Sequence, residues 1–140
     1  MRQVMMITFV AALVTLVGCT SVRQEVRKNY TTNIRQQANV GAVMLSRCNE
    51  IMLYPRGLAR MFRQPKLRAG SFKEELIYTG VSGKSISVSY REYKDDFARP
   101  AFYQELRYDL DQSSAIVFRN YRLVVHEATN EAISYTVLVD

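Results

Sequence analysis

Few residues in this chain have the types and the spacing that catalysis requires. His126 is the only histidine, and Cys48 is the only thiol besides Cys19. Nucleophilic catalysis needs a thiol or hydroxyl beside a base and an orienting acid, and nothing in the sequence brings Cys48 next to His126. Asp95 and Asp96 are adjacent acids on a polar loop, a pattern more typical of solvated charge than of paired acid and base. We therefore predict that the protein is not an enzyme.

Metal, cofactor and nucleic-acid sites are equally poorly supported. A lone histidine without a second histidine or a cysteine at ligand spacing does not predict a metal site. Residues 80–85 are rich in glycine and serine but lack the spacing of a nucleotide-binding loop, and they lie between two predicted strands. The chain carries a net charge of +6 but no nucleic-acid recognition motif. We predict no cofactor, no metal and no nucleic-acid partner.

The chemistry that the sequence does predict is lipid attachment at Cys19. Arg2 gives a positive start, residues 4–17 are an almost unbroken apolar run of 14 residues, and Gly18 precedes the thiol. This arrangement closely resembles the bacterial lipoprotein signal. In that pattern the cysteine sulfur receives a diacylglycerol, the chain is cut before the cysteine, and the new amine is acylated. Thr20, a residue other than Asp, follows the cysteine and by the same resemblance predicts delivery to the outer membrane.

Two alternatives to lipid attachment are an uncleaved membrane helix and a signal that is cut without lipid. The apolar run is shorter than the roughly 20 residues that span a bilayer. We therefore divide the chain into a signal peptide (1–18), a polar lipid-anchored linker (19–37) and a single β domain (38–140). Lipid on Cys19 would leave Cys48 without an intramolecular partner, and we interpret Cys48 as a buried, inert thiol rather than a reactive or bridging one.

The basic residues are concentrated in the first half of the chain. Residues 23–73 contain 11 Lys and Arg against 2 acids, whereas residues 74–140 contain 7 against 11. Anionic lipid head groups attract each basic side chain near the surface by about 1 kcal/mol. Within this half we select a candidate site for anionic envelope polymers or lipid, formed by Arg56, Arg60, Arg63, Lys66 and Arg68.

The alternative for this basic segment is an irregular, solvated loop that buries its apolar side chains. The binding face is supported by the spacing of the arginines. In a helix, Arg56, Arg60 and Arg63 would lie on one face, with Leu58, Met61 and Phe62 turned away. We favour the loop slightly over a dedicated binding face.

Beyond residue 71 apolar residues alternate with polar ones, which indicates strands. The clearest pattern is a hairpin with a turn at residues 80–84. Further strands are predicted at 106–110, 115–118, 121–127 and 132–139, and the more apolar residues 38–46 could supply a first strand. Six or seven antiparallel strands without a helical period predict an all-β sandwich or a partly open barrel. We interpret the nine tyrosines and the absence of tryptophan as typical of a β-rich surface.

Several short motifs in the second half of the chain are grouped in a familiar way. They are Glu75-Leu76-Ile77-Tyr78-Thr79-Gly80, Gly83-Lys84-Ser85-Ile86, Tyr90-Arg91-Glu92-Tyr93, Ala98-Arg99-Pro100-Ala101-Phe102, Tyr108-Asp109-Leu110 and Glu127-Ala128-Thr129-Asn130. Together with the signal, they resemble a group of small, uncharacterised bacterial lipoproteins. The resemblance implies an envelope location and a β domain, and it implies no activity.

A second candidate interaction site is the aromatic and basic set Tyr90, Arg91, Tyr93 and Arg99. Arginine pairs with carboxylates in a fork geometry, so the set could recognise a peptide or a peptidoglycan fragment. The competing interpretation, which we favour, is structural: Arg91 and Arg99 tie their loop to neighbouring carboxylates.

The function that these observations predict is a structural or protein-interaction module. It would be held by its lipid at the periplasmic face of the outer membrane, with an envelope protein as partner.

Overall fold

The structure is a computed structural model that describes residues 20–95 and 100–140. Cys19, Asp96 and Arg99 lie outside the described residues. In chain order the elements are β1 (Thr20–Lys28), β2 (Arg35–Asn39), β3 (Val43–Pro55), α1 (Ala59–Phe62), β4 (Lys66–Leu67), β5 (Phe72–Ser82), β6 (Ser85–Lys94), β7 (Pro100–Asp109), β8 (Ala115–Phe118), β9 (Tyr121–Ala128) and β10 (Ala132–Val139).

The strands form two antiparallel sheets. The larger sheet has the order β1-β3-β5-β6-β7, with the short β4 also paired to β3, and the smaller sheet has the order β2-β10-β9-β8. One buried cluster joins side chains from both sheets, because each sheet turns an apolar face toward the other. The all-β prediction is confirmed as a sandwich, and the described residues contain ten strands instead of six or seven.

Tyrosines are a major part of the core, which corrects their interpretation as surface residues. Tyr78 and Tyr135 lie on opposite sheets and are both buried. The Tyr78 hydroxyl donates to the Thr129 carbonyl at 2.6 Å, and the Tyr135 hydroxyl donates to the Met44 carbonyl. A buried tyrosine needs such a partner, and burial raises the pKa of Tyr135 to about 12. These hydrogen bonds fix one sheet over the other.

The predicted linker is corrected, because residues 20–28 and 35–39 are strands. β1 pairs with β3 along its whole length, from Thr20 opposite Pro55 to Lys28 opposite Arg47, and β2 pairs with β10. β1 looks polar because it is a sheet edge largely exposed on both faces, which removes the alternating pattern that marks a half-buried strand. The predicted first strand is divided by a turn at Gly41, where φ is +80°.

The larger sheet extends beyond the region that the smaller sheet covers. The buried cluster takes only Met44 and Leu45 from β3, although that strand continues to Pro55. We call the extension, formed by β1, residues 46–55, α1 and β4, the arm. Among the described residues no helix is long and apolar enough to cross a membrane.

Candidate functional site

The inner face of the arm continues the core-facing side of the larger sheet but has no sheet above it. Val22 and Val26 lie on this face opposite Leu53 and Asn49, and the two valines are 52% and 48% exposed. On its other side, β1 has no neighbouring strand among residues 20–95 and 100–140. An unpaired edge offers free backbone donors and acceptors to another strand.

The outer face of the arm fixes β1 onto β3. The Tyr54 hydroxyl donates to a Glu25 carboxylate oxygen at 2.5 Å, and Arg23 lies 5.2 Å from the centre of the Tyr54 ring. Arg27 lies 3.6 Å from Glu25 and 3.5 Å from Glu50. The hydrogen bond from Tyr54 and the charge of Arg27 lower the pKa of Glu25. β1 is therefore held by cross-strand side chains as well as by its backbone.

The far end of the arm is the basic segment 56–68, which we call the tip. Its helix α1 is a single turn, so the helical face of arginines that their spacing would allow is not formed. Leu58, Met61 and Phe62 are 66%, 76% and 83% exposed. The expectation that this segment buries its apolar side chains was wrong. The single turn lies at the end of the arm, where no second sheet is available for these side chains to pack against.

The five basic residues predicted as a candidate site all lie on the tip and are exposed: Arg56, Arg60, Arg63, Lys66 and Arg68. None of them forms an ion pair with a carboxylate within the described part of the chain. Lys66 belongs to β4, which pairs with residues Leu53 and Met52 of β3. A groove of about 600 Å³ lies beside them, between Thr20, Leu53 and Phe62.

A polar cluster closes the sandwich where the arm begins. Arg119 occupies the two-residue turn between β8 and β9, and its guanidinium donates to Glu74 at 3.1 Å, to Glu92 at 3.0 Å and to the Tyr90 hydroxyl at 2.6 Å. The Tyr121 hydroxyl donates to the second oxygen of Glu74 at 2.7 Å. Charge-assisted hydrogen bonds therefore join the smaller sheet to the larger one at the position where the smaller sheet ends and the arm begins.

The electrostatics of this cluster favour a structural role. Burial alone would raise the pKa of Glu92, but hydrogen bonds from Arg119 and Tyr90 and the charge of Arg119 outweigh it, and the net pKa is lowered. Burial and Glu74 raise the pKa of both Tyr90 and Tyr121, so these hydroxyls stay protonated as donors. Nothing in the sequence indicated the cluster, since its members come from β5, β6, β9 and the turn before β9.

The predicted set of Tyr90, Arg91, Tyr93 and Arg99 does not form one surface. Tyr90 is fully buried on the inner face, whereas Arg91 and Tyr93 lie on the outer face, as alternation along β6 requires. The Tyr93 hydroxyl donates to Glu75 at 3.1 Å. Arg99 lies outside the described residues.

The two residues considered for catalysis lie in different sheets. Cys48, on β3, is half-buried and free, its sulfur is 3.6 Å from a Glu50 oxygen, and burial raises the pKa of the thiol. His126, on β9, is exposed and lies 2.8 Å from the Thr136 hydroxyl. No group of three or more His, Cys, Asp or Glu in the described part of the chain is placed to hold a metal ion.

Comparisons with protein families, with characterised proteins and with solved structures find no match to this chain. The resemblance to small bacterial lipoproteins stays a prediction. Because no relative indicates a function, we infer one from the geometry of the arm.

Proposed function

We propose that this protein is a lipid-anchored module that binds an envelope protein at the periplasmic face of the outer membrane. Cys19 carries the lipid, and the unpaired edge of β1 receives the partner. The observation that carries the proposal is that no described strand pairs with the outer edge of β1, whose residue Thr20 follows the predicted lipid attachment site.

The composition of β1 suits the addition of a strand from another protein. Backbone groups along a free edge supply affinity, and side chains on alternate positions supply specificity. Val22 and Val26 would contact the partner on the inner face, and Arg23 and Arg27 would select for acidic residues on the outer face. The pairing of β1 with β3 has no register shift, so the edge is regular over nine residues.

Site-specific photocrosslinking in cells tests this edge. A photoreactive amino acid at Val22 is expected to yield a crosslinked species containing an envelope protein. The matched control is Val117, which is 59% exposed on β8, an edge strand of the other sheet. Failure of the Val22 variant to crosslink, or the same products from both sites, would contradict the role of β1.

A further inference from the structure

The predicted lipid and the tip meet at one end of the molecule. Thr20 pairs directly with Pro55, the residue before Arg56. Consecutive Cα atoms are about 3.8 Å apart, so a lipid on Cys19 would join the domain within one residue of the tip. Thr20, the residue that follows the predicted attachment site, already belongs to the folded arm.

The charge of this end suits an anionic surface. Residues 51–72 contain five basic residues and no acid, and all five basic side chains are exposed. Basic side chains held close to an anionic bilayer are attracted to its head groups. A lipid anchor brings them within that range, because electrostatic attraction falls off over about 8 Å at physiological salt.

The apolar residues of the tip suit the interior of that surface. Phe62 is 83% exposed, and it lies beside basic residues in the way that amphipathic membrane-surface segments combine Phe or Leu with Lys and Arg. Leu58 and Met61 are exposed on the same helical turn. A hydrophilic polyanion such as a wall polymer would satisfy the charges but would leave these three side chains in water.

We infer that the tip is a docking surface for an anionic lipid bilayer. Its arginines and lysine bind head groups, and Leu58, Met61 and Phe62 enter the interfacial layer. This inference rests on the proposed lipid attachment at Cys19. It adds that the domain is held in one orientation, with the arm upright on the bilayer and the β1 edge facing sideways along its surface.

The test uses the mature protein, isolated from the cell envelope and reconstituted in vesicles of phosphatidylethanolamine and phosphatidylglycerol. The chain lacks tryptophan, so Phe62→Trp introduces a single tryptophan that can be excited selectively, which we call the tip reporter. Phe102→Trp, at an exposed phenylalanine on β7, introduces the matched control reporter in a separate variant. Brominated phospholipid is expected to quench the tip reporter strongly and the control reporter weakly. The emission of the tip reporter should also shift to shorter wavelength.

Charge variants test whether the basic side chains keep the tip in contact with the bilayer. Neutralising Arg56, Arg60 and Arg63 to Gln is expected to remove most of the quenching of the tip reporter. Neutralising Lys84, Arg107 and Arg122, which are exposed elsewhere, should leave that quenching unchanged. Thermal unfolding of both triple variants checks that the fold persists.

The outcomes separate the tip from the anchor. Protein that stays on the vesicles through its lipid, with the tip reporter quenched no more than the control reporter, would overturn the docking surface while leaving the anchor intact. Protein that carries no lipid and leaves the vesicles would instead overturn the proposed attachment. Displacement of the tip reporter from the bilayer by isolated peptidoglycan would assign the tip to the wall polymer and contradict the inference.

Discussion

Arg119 is an exposed residue whose side chain joins the two sheets at one end of the core. Its φ of 51° lies in the left-handed region, which is unfavourable for a residue other than glycine. The turn still holds arginine, and its guanidinium serves Glu74, Glu92 and Tyr90 at once. Without it, the largely buried Glu74 would lose its cationic partner and Glu92 would keep only Lys94, 3.5 Å away, which is costly.

We expect Arg119→Gln to lower the free energy of unfolding by about 1–3 kcal/mol, since it removes the cationic partner of Glu74 and one of the two cationic partners of Glu92. Arg119→Gly is the control, because glycine adopts the positive φ freely but also lacks the guanidinium. Denaturant unfolding measures both variants. If Arg119→Gly were more stable than the unsubstituted protein, backbone strain would outweigh the side-chain bonds and the proposed role would fail.

The lowered pKa of Glu92 gives this cluster a pH dependence. A carboxyl group with a depressed native pKa stabilises the fold above its unfolded pKa, ordinarily 4.5, and that contribution is lost as the pH falls through the native pKa. We expect acid to destabilise the unsubstituted protein more strongly than it destabilises the Arg119→Gln variant. Parallel profiles of unfolding free energy between pH 7 and pH 3 would argue against the pairing.

The strands that could be predicted from the sequence are those that pack one face against the opposite sheet. β8 and β10 match their predicted bounds, and β9 extends one residue further. β1 and the second half of β3 lie in the arm, where neither face is fully buried, so their sequences carry no period of two. Arg47 and Asn49 can occupy inward-facing positions of β3 because the smaller sheet does not cover this half of the strand.

Hydrogen exchange tests whether β1 is a strand of the domain. The amides of residues 20–28 that bond to β3 are expected to exchange far more slowly than an unstructured chain. Amides in α1 provide an internal comparison, because a single exposed turn should exchange quickly. Unprotected exchange throughout residues 20–28 would restore the linker that the sequence predicted.

At the scale of the whole molecule, the two ends differ in structure. The sandwich end contains the buried tyrosines and the core, whereas the arm carries the exposed β1 edge, the basic tip and Thr20, the residue that follows Cys19. The sequence showed the excess of basic residues in the first half. It could not show that residues 20 and 55 meet, because that pairing joins positions 35 residues apart.

The intact mass of the mature protein, isolated from the cell envelope, tests the lipid anchor most directly. We predict a chain that begins at Cys19, with a diacylglycerol on its sulfur and an acyl group on its amine. A chain with a bare thiol at residue 19, or with residue 19 still joined to residue 18, would contradict the proposed anchor.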